Sequence, residues 1–185
     1  MIRPALFLDR DGTINYDRVY INNPNLVELI PGAASAIARA NALDWKVVVV
    51  TNQSGIGRGL IVPKQLPLIH ARVDELLQKE AGAKIDSYRF CPHLPDDGCL
   101  CRKPGIAMVE DAALEMKISL KDSYFIGDSW SDIACGVRAG TKTALVRSGK
   151  GRETELGMEQ GKWGALRADI IADDLDAAVA EIFRT

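Results

Sequence analysis

Four short, unbroken apolar runs constrain this chain more than any other feature: Ala5-Leu6-Phe7-Leu8, Val47-Val48-Val49-Val50, Tyr124-Phe125-Ile126 and Ala144-Leu145-Val146. A strand that is apolar at every position, and not at alternate ones, is buried on both faces. Segments of helical period lie between and after them, at roughly residues 33–42, 63–79 (with Pro67 near its first turns), 104–116, 131–139 and 175–183, with Gly32, Gly140 and Gly149 at boundaries. Such alternation demands right-handed crossovers and covers both faces of the sheet with helices. The expected fold is α/β: a doubly wound, mostly parallel sheet. Residues 149–164, with five glycines and many charges, read as a surface loop before a last strand at Ile170-Ile171.

At 185 residues, with no repeat, linker or low-complexity tract, the chain is expected to be a single domain spanning 1–185. Its 23 Lys+Arg against 25 Asp+Glu give a formal charge of -2, so no broad positive field exists to hold nucleic acid. No run approaches the ~18 apolar residues of a membrane span. A cytoplasmic monomer acting on a small molecule, with neither nucleic acid nor membrane as partner, is the expectation.

In a parallel sheet of this kind, ligands bind beyond the carboxyl ends of the strands. Three apolar runs end in chemically capable residues: Asp9-Arg10-Asp11-Gly12-Thr13, Thr51-Asn52-Gln53-Ser54-Gly55 and Gly127-Asp128-Ser129; a basic pair, Arg102-Lys103, precedes Pro104. Asp9 and Asp11 are two apart, which in extended backbone sends both carboxylates to one side, and two such groups ionise together only beside a cation. Asp128 completes an anionic pocket suited to hard Mg²⁺, which keeps several waters and takes a substrate phosphate. Thr51, the glycine-rich stretch Ser54 to Gly59 and Lys103 supply hydroxyl, backbone N–H and ammonium groups for phosphate oxygens. Each signal has a plain structural reading: a turn for Asp-x-Asp-Gly, a helix cap for Asp128, a solvated charge for Lys103. Their ordered placement favours phosphoryl transfer.

These four motifs resemble the haloacid dehalogenase-like (HAD) phosphohydrolases, matching at Asp9-Arg10-Asp11-Gly12-Thr13, Thr51, Lys103 and Gly127-Asp128 with Asp132. The resemblance implies that Asp9 is the nucleophile, forming an aspartyl-phosphate, and that Asp11 protonates the leaving oxygen and later activates water. It implies that Thr51 and Lys103 bind the transferring phosphoryl group, and that Mg²⁺ is held by Asp9, the backbone carbonyl of Asp11 and Asp128, with Asp132 orienting the shell. Only 40 residue steps separate Asp11 from Thr51 and 52 separate Thr51 from Lys103, too few for an inserted cap domain. A capless enzyme is expected.

Between the second and third motifs, Cys91-x-His93 and Cys99-x-Cys101 bring three thiolates and one imidazole together, the set of a closed tetrahedral Zn²⁺ site. With no open coordination position, that zinc would be structural, pinning the loop 91–101 ahead of Arg102-Lys103. Cys135 reads as a small core residue. A zinc loop directly before Cys101-Arg102-Lys103-Pro104 resembles the histidinol-phosphatase-like subgroup. Within it, Asp11 to Asn15, Asp17 to Tyr20 and Thr51 to Gly59 are most similar to members that remove the 7-phosphate of D-glycero-D-manno-heptose 1,7-bisphosphate on the way to surface lipopolysaccharide.

That resemblance implies a sugar bisphosphate held by Asp17, Arg18, Val19 and Tyr20, by Thr51, Asn52, Gln53 and Ser54, and by Arg102 and Lys103. Arg58 and Arg102 are cations able to fork around a second phosphate. The chain departs from the usual pattern after Pro104, reading Gly105-Ile106-Ala107-Met108 where a Pro-Gly-Met sequence is customary. Histidinol-phosphate phosphatase is the alternative enzyme, and a non-catalytic zinc-containing binding module the alternative from another class.

Overall fold

The computed structural model describes residues 2–184. Six strands form one sheet: β1 (Ala5–Leu8), β2 (Lys46–Asn52), β3 (Ser87–Cys91), β4 (Tyr124–Gly127), β5 (Lys142–Val146) and β6 (Ile170–Ala172). Their spatial order is β3-β2-β1-β4-β5-β6, and every neighbouring pair is parallel. The chain winds outward from β1 on one side, then returns to β4 and winds outward on the other. The carboxyl end of β1, flanked by β2 and β4, is therefore the switch point where a crevice opens.

Seven helices cover the sheet: α1 (Ala33–Ala42), α2 (Ser54–Gly57), α3 (Gln65–Ala81), α4 (Ala107–Met116), α5 (Trp130–Ala139), α6 (Gly151–Glu159) and α7 (Leu175–Ile182). Alternate residues of each apolar run sort onto opposite faces, as the pleat requires. Leu6, Leu8, Val47, Val49, Ile126, Ala144 and Val146 pack with α1, α3 and α7. Ala5, Phe7, Val48, Val50 and Phe125 face Val109 and Ala112 of α4 and Cys135 of α5, with the Phe7 and Phe125 rings stacked 6.3 Å apart. Cys135 is a buried core residue, as its sequence context suggested.

Two expectations need correction. The fourth helix begins at Ala107 and not at Pro104, because Gly105 N–H closes a turn onto the Arg102 carbonyl at 2.6 Å and Ile106 is the N-cap. The departure from Pro-Gly-Met falls just after this turn, at the N-cap Ile106 and the first helical residue Ala107. A side chain at Gly105 would stand 2.3 Å from the Leu100 carbonyl oxygen, so the chain is packed tightly there. Residues 149–164 are also no simple surface loop, since α6 runs through them. Its first residue, Gly151, and its interior Gly157, the latter unfavourable in an isolated helix, are contact points: a Cβ at Gly151 would be 1.7 Å from the Val146 carbonyl oxygen, and one at Gly157 would be 2.5 Å from the Trp163 ring. Among the described residues no helix is long and apolar enough to cross a membrane.

Candidate active site

The chain leaves β1 as Asp9, whose N–H donates to the Ile126 carbonyl of β4 at 3.0 Å, and then turns sharply, with the N–H groups of Thr13, Ile14 and Asn15 all directed at the Arg10 carbonyl. The turn sends neighbouring side chains to different jobs. Arg10 is wholly buried and binds the Asp11 carboxylate through Nε and Nη2 at 2.7 to 3.1 Å. Asn15 Nδ2 and Gln53 Nε2 each donate to the same carboxylate at 2.9 Å, and Gln53 also donates to the Thr51 hydroxyl. Burial alone would raise the pKa of Asp11, but the guanidinium and these donors hold it below the usual carboxylate range. Arg10 was not among the residues singled out from sequence; a cation between two aspartates gave no sign of which one it serves.

Asp9 faces the other way. Lys103 Nζ, also buried, lies 2.7 Å from Asp9 Oδ1, 2.7 Å from Asp132 Oδ1 and 2.6 Å from the Val50 carbonyl. Asn52, at the end of β2, clamps the Lys103 backbone in both directions, donating to its carbonyl at 3.2 Å and accepting from its N–H at 3.0 Å. Asp132, in the first turn of α5, uses Oδ2 to accept from the N–H and hydroxyl of Ser129, leaving Oδ1 for the lysine.

Carboxylate oxygens of Asp9, Asp128 and Asp132 all lie within 4.8 Å of one another. Burial, then the neighbouring carboxylates, push Asp128 up to about 8; burial also raises Asp9 to about 6, against the pull of Lys103. One lysine beside three buried carboxylates leaves an excess of negative charge, and an oxygen-only donor set of this kind fits a hard divalent cation such as Mg²⁺. The Asp11 carboxylate stands outside the cluster.

The setting of Asp128 is the least legible part of the site. Its side chain lies between two glycines of positive φ, Gly12 (+87°) and Gly149 (+56°), from opposite ends of the chain; a Cβ on either would come within 2.2 Å of Oδ2. Lys150 N–H donates to Oδ2 at 2.8 Å, Thr154 to the Asp128 carbonyl at 3.0 Å, and Ser148 to the Gly12 carbonyl at 2.7 Å. Gly149→Ala is expected to displace this carboxylate and lower kcat by ~100-fold or more, the scale of a 1 Å misplacement in a catalytic centre. Phosphate-release kinetics on the purified variant check this, and near-normal kcat would show that Asp128 tolerates the shift.

These groups open into a cavity of about 500 Å³. Of the sugar-binding residues expected from sequence, Asp17, Val19, Tyr20, Thr51, Asn52, Gln53, Ser54, Arg102 and Lys103 line it. Val19 is a β-branched residue at φ 66°, strained backbone at the mouth of the cavity. Two expected cations do not line it. Arg18 pairs with Glu28 at 2.7 Å on the surface, and Arg58 follows α2 as its exposed C-cap, so Arg58 and Arg102 do not meet as a fork. Besides Ile21, Trp130 and Ser131, five further unanticipated residues complete the wall: Lys150, Glu153, Thr154, Lys162 and Trp163. They come from the segment whose glycines had suggested a loop.

The cysteine loop folds onto the same end of the sheet, with Gln53 N–H donating to the Cys91 carbonyl and Gly57 N–H to that of Pro92. Cys91, Cys99 and Cys101 sulfurs lie 3.1 to 3.6 Å apart, with His93 Nδ1 3.5 Å from Cys91 and 3.2 Å from Cys101. Four donors in so tight a group suit a tetrahedral ion with bonds of about 2.3 Å to sulfur. Arg102 reaches back to the His93 carbonyl at 3.2 Å, tying its side chain to this loop.

A parallel sheet with a carboxylate nucleophile candidate at its switch point, a buried lysine on it and an acidic cluster beside it defines a HAD-like hydrolase, and the HAD-hydrolase-like family matches residues 100–178. A Pseudomonas putida protein named D-glycero-beta-D-manno-heptose-1,7-bisphosphate 7-phosphatase is 40% identical over 178 residues, 96% of this chain and 98% of that protein. Its namesake in Pseudomonas aeruginosa is 38% identical over 185 residues, the whole of both chains. The crystal structure of D,D-heptose 1,7-bisphosphate phosphatase from Bordetella bronchiseptica with magnesium and phosphate superposes with a TM-score of 0.88 at 36% identity, covering 98% of each chain. The chain belongs to the D-glycero-D-manno-heptose-1,7-bisphosphate 7-phosphatase family of HAD-like phosphatases.

Proposed function

We propose that this chain removes the 7-phosphate of D-glycero-D-manno-heptose 1,7-bisphosphate, as a cytoplasmic monomer comprising one capless domain. The observation that carries the reading is the buried Lys103 bridging Asp9 and Asp132 at the switch point, a geometry that positions a carboxylate nucleophile and a phosphate-binding cation together.

In the first step an Asp9 oxygen attacks phosphorus, the bond from phosphorus to the sugar oxygen breaks, and the departing oxygen takes a proton from Asp11. An incoming phosphate dianion raises the pKa of Asp11 by like-charge repulsion, which lets a carboxyl otherwise held low arrive protonated. In the second step Asp11 accepts a proton from water, whose oxygen attacks phosphorus and breaks the bond to Asp9, releasing phosphate. Arg10, Asn15 and Gln53 keep Asp11 in place throughout, and Thr51 and Lys103 hold the transferring oxygens. Mg²⁺, held by Asp9, the Asp11 carbonyl and Asp128 with Asp132 behind them, would neutralise the repulsion between carboxylate and phosphate. Zn²⁺ on Cys91, His93, Cys99 and Cys101 would be structural, holding the loop that carries Arg102 and Lys103.

The test compares kcat/KM for the heptose bisphosphate and for histidinol phosphate on zinc-replete protein in Mg²⁺ buffer. An advantage of ~100-fold for the bisphosphate, about 2.7 kcal/mol of transition-state discrimination, is expected. The reverse preference overturns the substrate assignment.

A further inference from the structure

Behind the Asp11 carboxylate lies a group of buried polar side chains, Arg10, His70 and Tyr88, none of which lines the cavity. Arg10 follows Leu8 by two residues and so continues the face of β1 that packs with α1 and α3. Its guanidinium is wholly enclosed; Nε and Nη2 bind Asp11, while Nη1 has no hydrogen-bond partner. Over this face α3 lays Leu66, Ile69, Val73 and Leu77, and among them stands His70, its Nε2 buried and likewise without a partner. A polar group on an otherwise apolar helix face is costly unless it is satisfied.

His70 is firmly held. Its ring stacks on Tyr88 of β3 at 4.1 Å and 11°, and the Tyr88 hydroxyl donates to Asp74 Oδ1 at 2.7 Å, fastening the stack to α3. Both rings feel the Arg10 charge. Burial and then that charge hold the imidazole down at about 3, against the opposite pull of Asp11, and the same charge opposes the rise that burial imposes on Tyr88. A neutral imidazole protonated at Nδ1 offers Nε2 as an acceptor, and the guanidinium offers Nη1 as a donor. A donor and an acceptor, each buried and unsatisfied, behind one carboxylate are complementary. Asn15 Oδ1 is another buried acceptor without a partner, but its amide is already committed to Asp11 and to the Tyr16 carbonyl.

We propose that His70 is a positioning residue for the acid: Nε2 accepts a hydrogen bond from Arg10 Nη1 and so keeps the fork of Nε and Nη2 set against Asp11 while that carboxyl exchanges its proton. This rests on the role of Asp11 in the reaction proposed above. Once Asp11 carries a proton, the guanidinium loses most of its attraction to it. A second acceptor, pinned by the stack on Tyr88, then keeps Arg10 in place and Asp11 aimed at the leaving oxygen.

The experiment uses the leaving group. A sugar alkoxide departs only with a proton from Asp11, whereas 4-nitrophenolate is a stable anion and departs without one. For both, kcat/KM reports the steps up to the aspartyl-phosphate, so the later use of Asp11 as a base does not enter. It is measured for the heptose bisphosphate and for 4-nitrophenyl phosphate in the wild type, His70→Phe and His70→Gln. Phe keeps the stack on Tyr88 and removes the acceptor; the Gln amide oxygen takes the place of Nε2. His70→Leu replaces the Phe variant if a thermal melt shows that it does not fold. The ratio of heptose to aryl activity is expected to fall about tenfold in the apolar variant and to stay within about threefold of wild type in His70→Gln. A fall of less than about threefold in the apolar variant overturns the proposal, whether both activities drop together or Asn15 serves Arg10 instead. A fall of more than about threefold in His70→Gln overturns it too. Asp11→Asn is the control: equal losses on both substrates there remove Asp11 as the acid, and His70 with it, whereas unequal losses there beside an unchanged ratio in His70→Phe remove His70 alone.

Discussion

Replacing Asp9 with Asn abolishes turnover, by at least ~10⁴-fold in kcat, because an amide is not a nucleophile toward phosphorus and no neighbouring carboxylate has the same approach. The fold persists. Lys103 loses one of its two carboxylate partners but keeps Asp132 at 2.7 Å and the Val50 carbonyl at 2.6 Å, so no orphaned buried ammonium is created. The backbone anchor of Asp9 to Ile126 is untouched. Steady-state phosphate release with the heptose bisphosphate, beside a thermal melt, separates the two effects. Activity within about tenfold of wild type would mean that hydrolysis proceeds by direct attack of water, without the aspartyl-phosphate.

Cys101→Ser is expected to have the largest effect on stability. The Cys101 sulfur lies 3.1 Å from Cys91, 3.6 Å from Cys99 and 3.2 Å from His93 Nδ1, at the centre of the group, and the next two residues are Arg102 and Lys103. Loop 91–101 has little core of its own: Leu100 and His93 are exposed, and only Cys91 is fully buried. A bound metal would substitute for hydrophobic packing there. Losing one ligand at a cost of ~4 kcal/mol would lower Tm by roughly 10 °C in a chain of this size. Catalysis should fall as well, since only Asn52 would then hold the Lys103 backbone. Metal analysis of the purified wild type should give one zinc per chain, and chelation should reproduce the variant's melt. A zinc-free wild type with an unchanged melt after chelation would refute the structural zinc.

The parts of this protein readable from sequence are those in which residue type and spacing are themselves the physical cause. Unbroken apolar runs can only be satisfied by burial on both faces, and β1, β2, β4 and β5 are found at the positions the runs mark. Three thiols and an imidazole within eleven residues converge because the intervening loop is too short to keep them apart. Asp9, Thr51 and Asp128 lie at the cavity because strand ends in a parallel sheet share one edge, and Lys103 is brought there by the turn before α4.

The rest depended on partners far apart in the chain. Gly149 is required by Asp128 and Gly12, and Gly157 by Trp163, so glycines that locally suggested a loop are points of close approach around a helix. Arg10 could be assigned to Asp11 only once the turn after β1 had set its direction, and Arg58 lost its expected place when α2 carried it to the surface. Local sequence therefore determined the sheet, the Cys/His cluster and the carboxylates at the strand ends, whose neighbours are set by spacing. Tertiary structure alone decided how Asp128 is held and which cations face the cavity, because those depend on the return of the chain through α6.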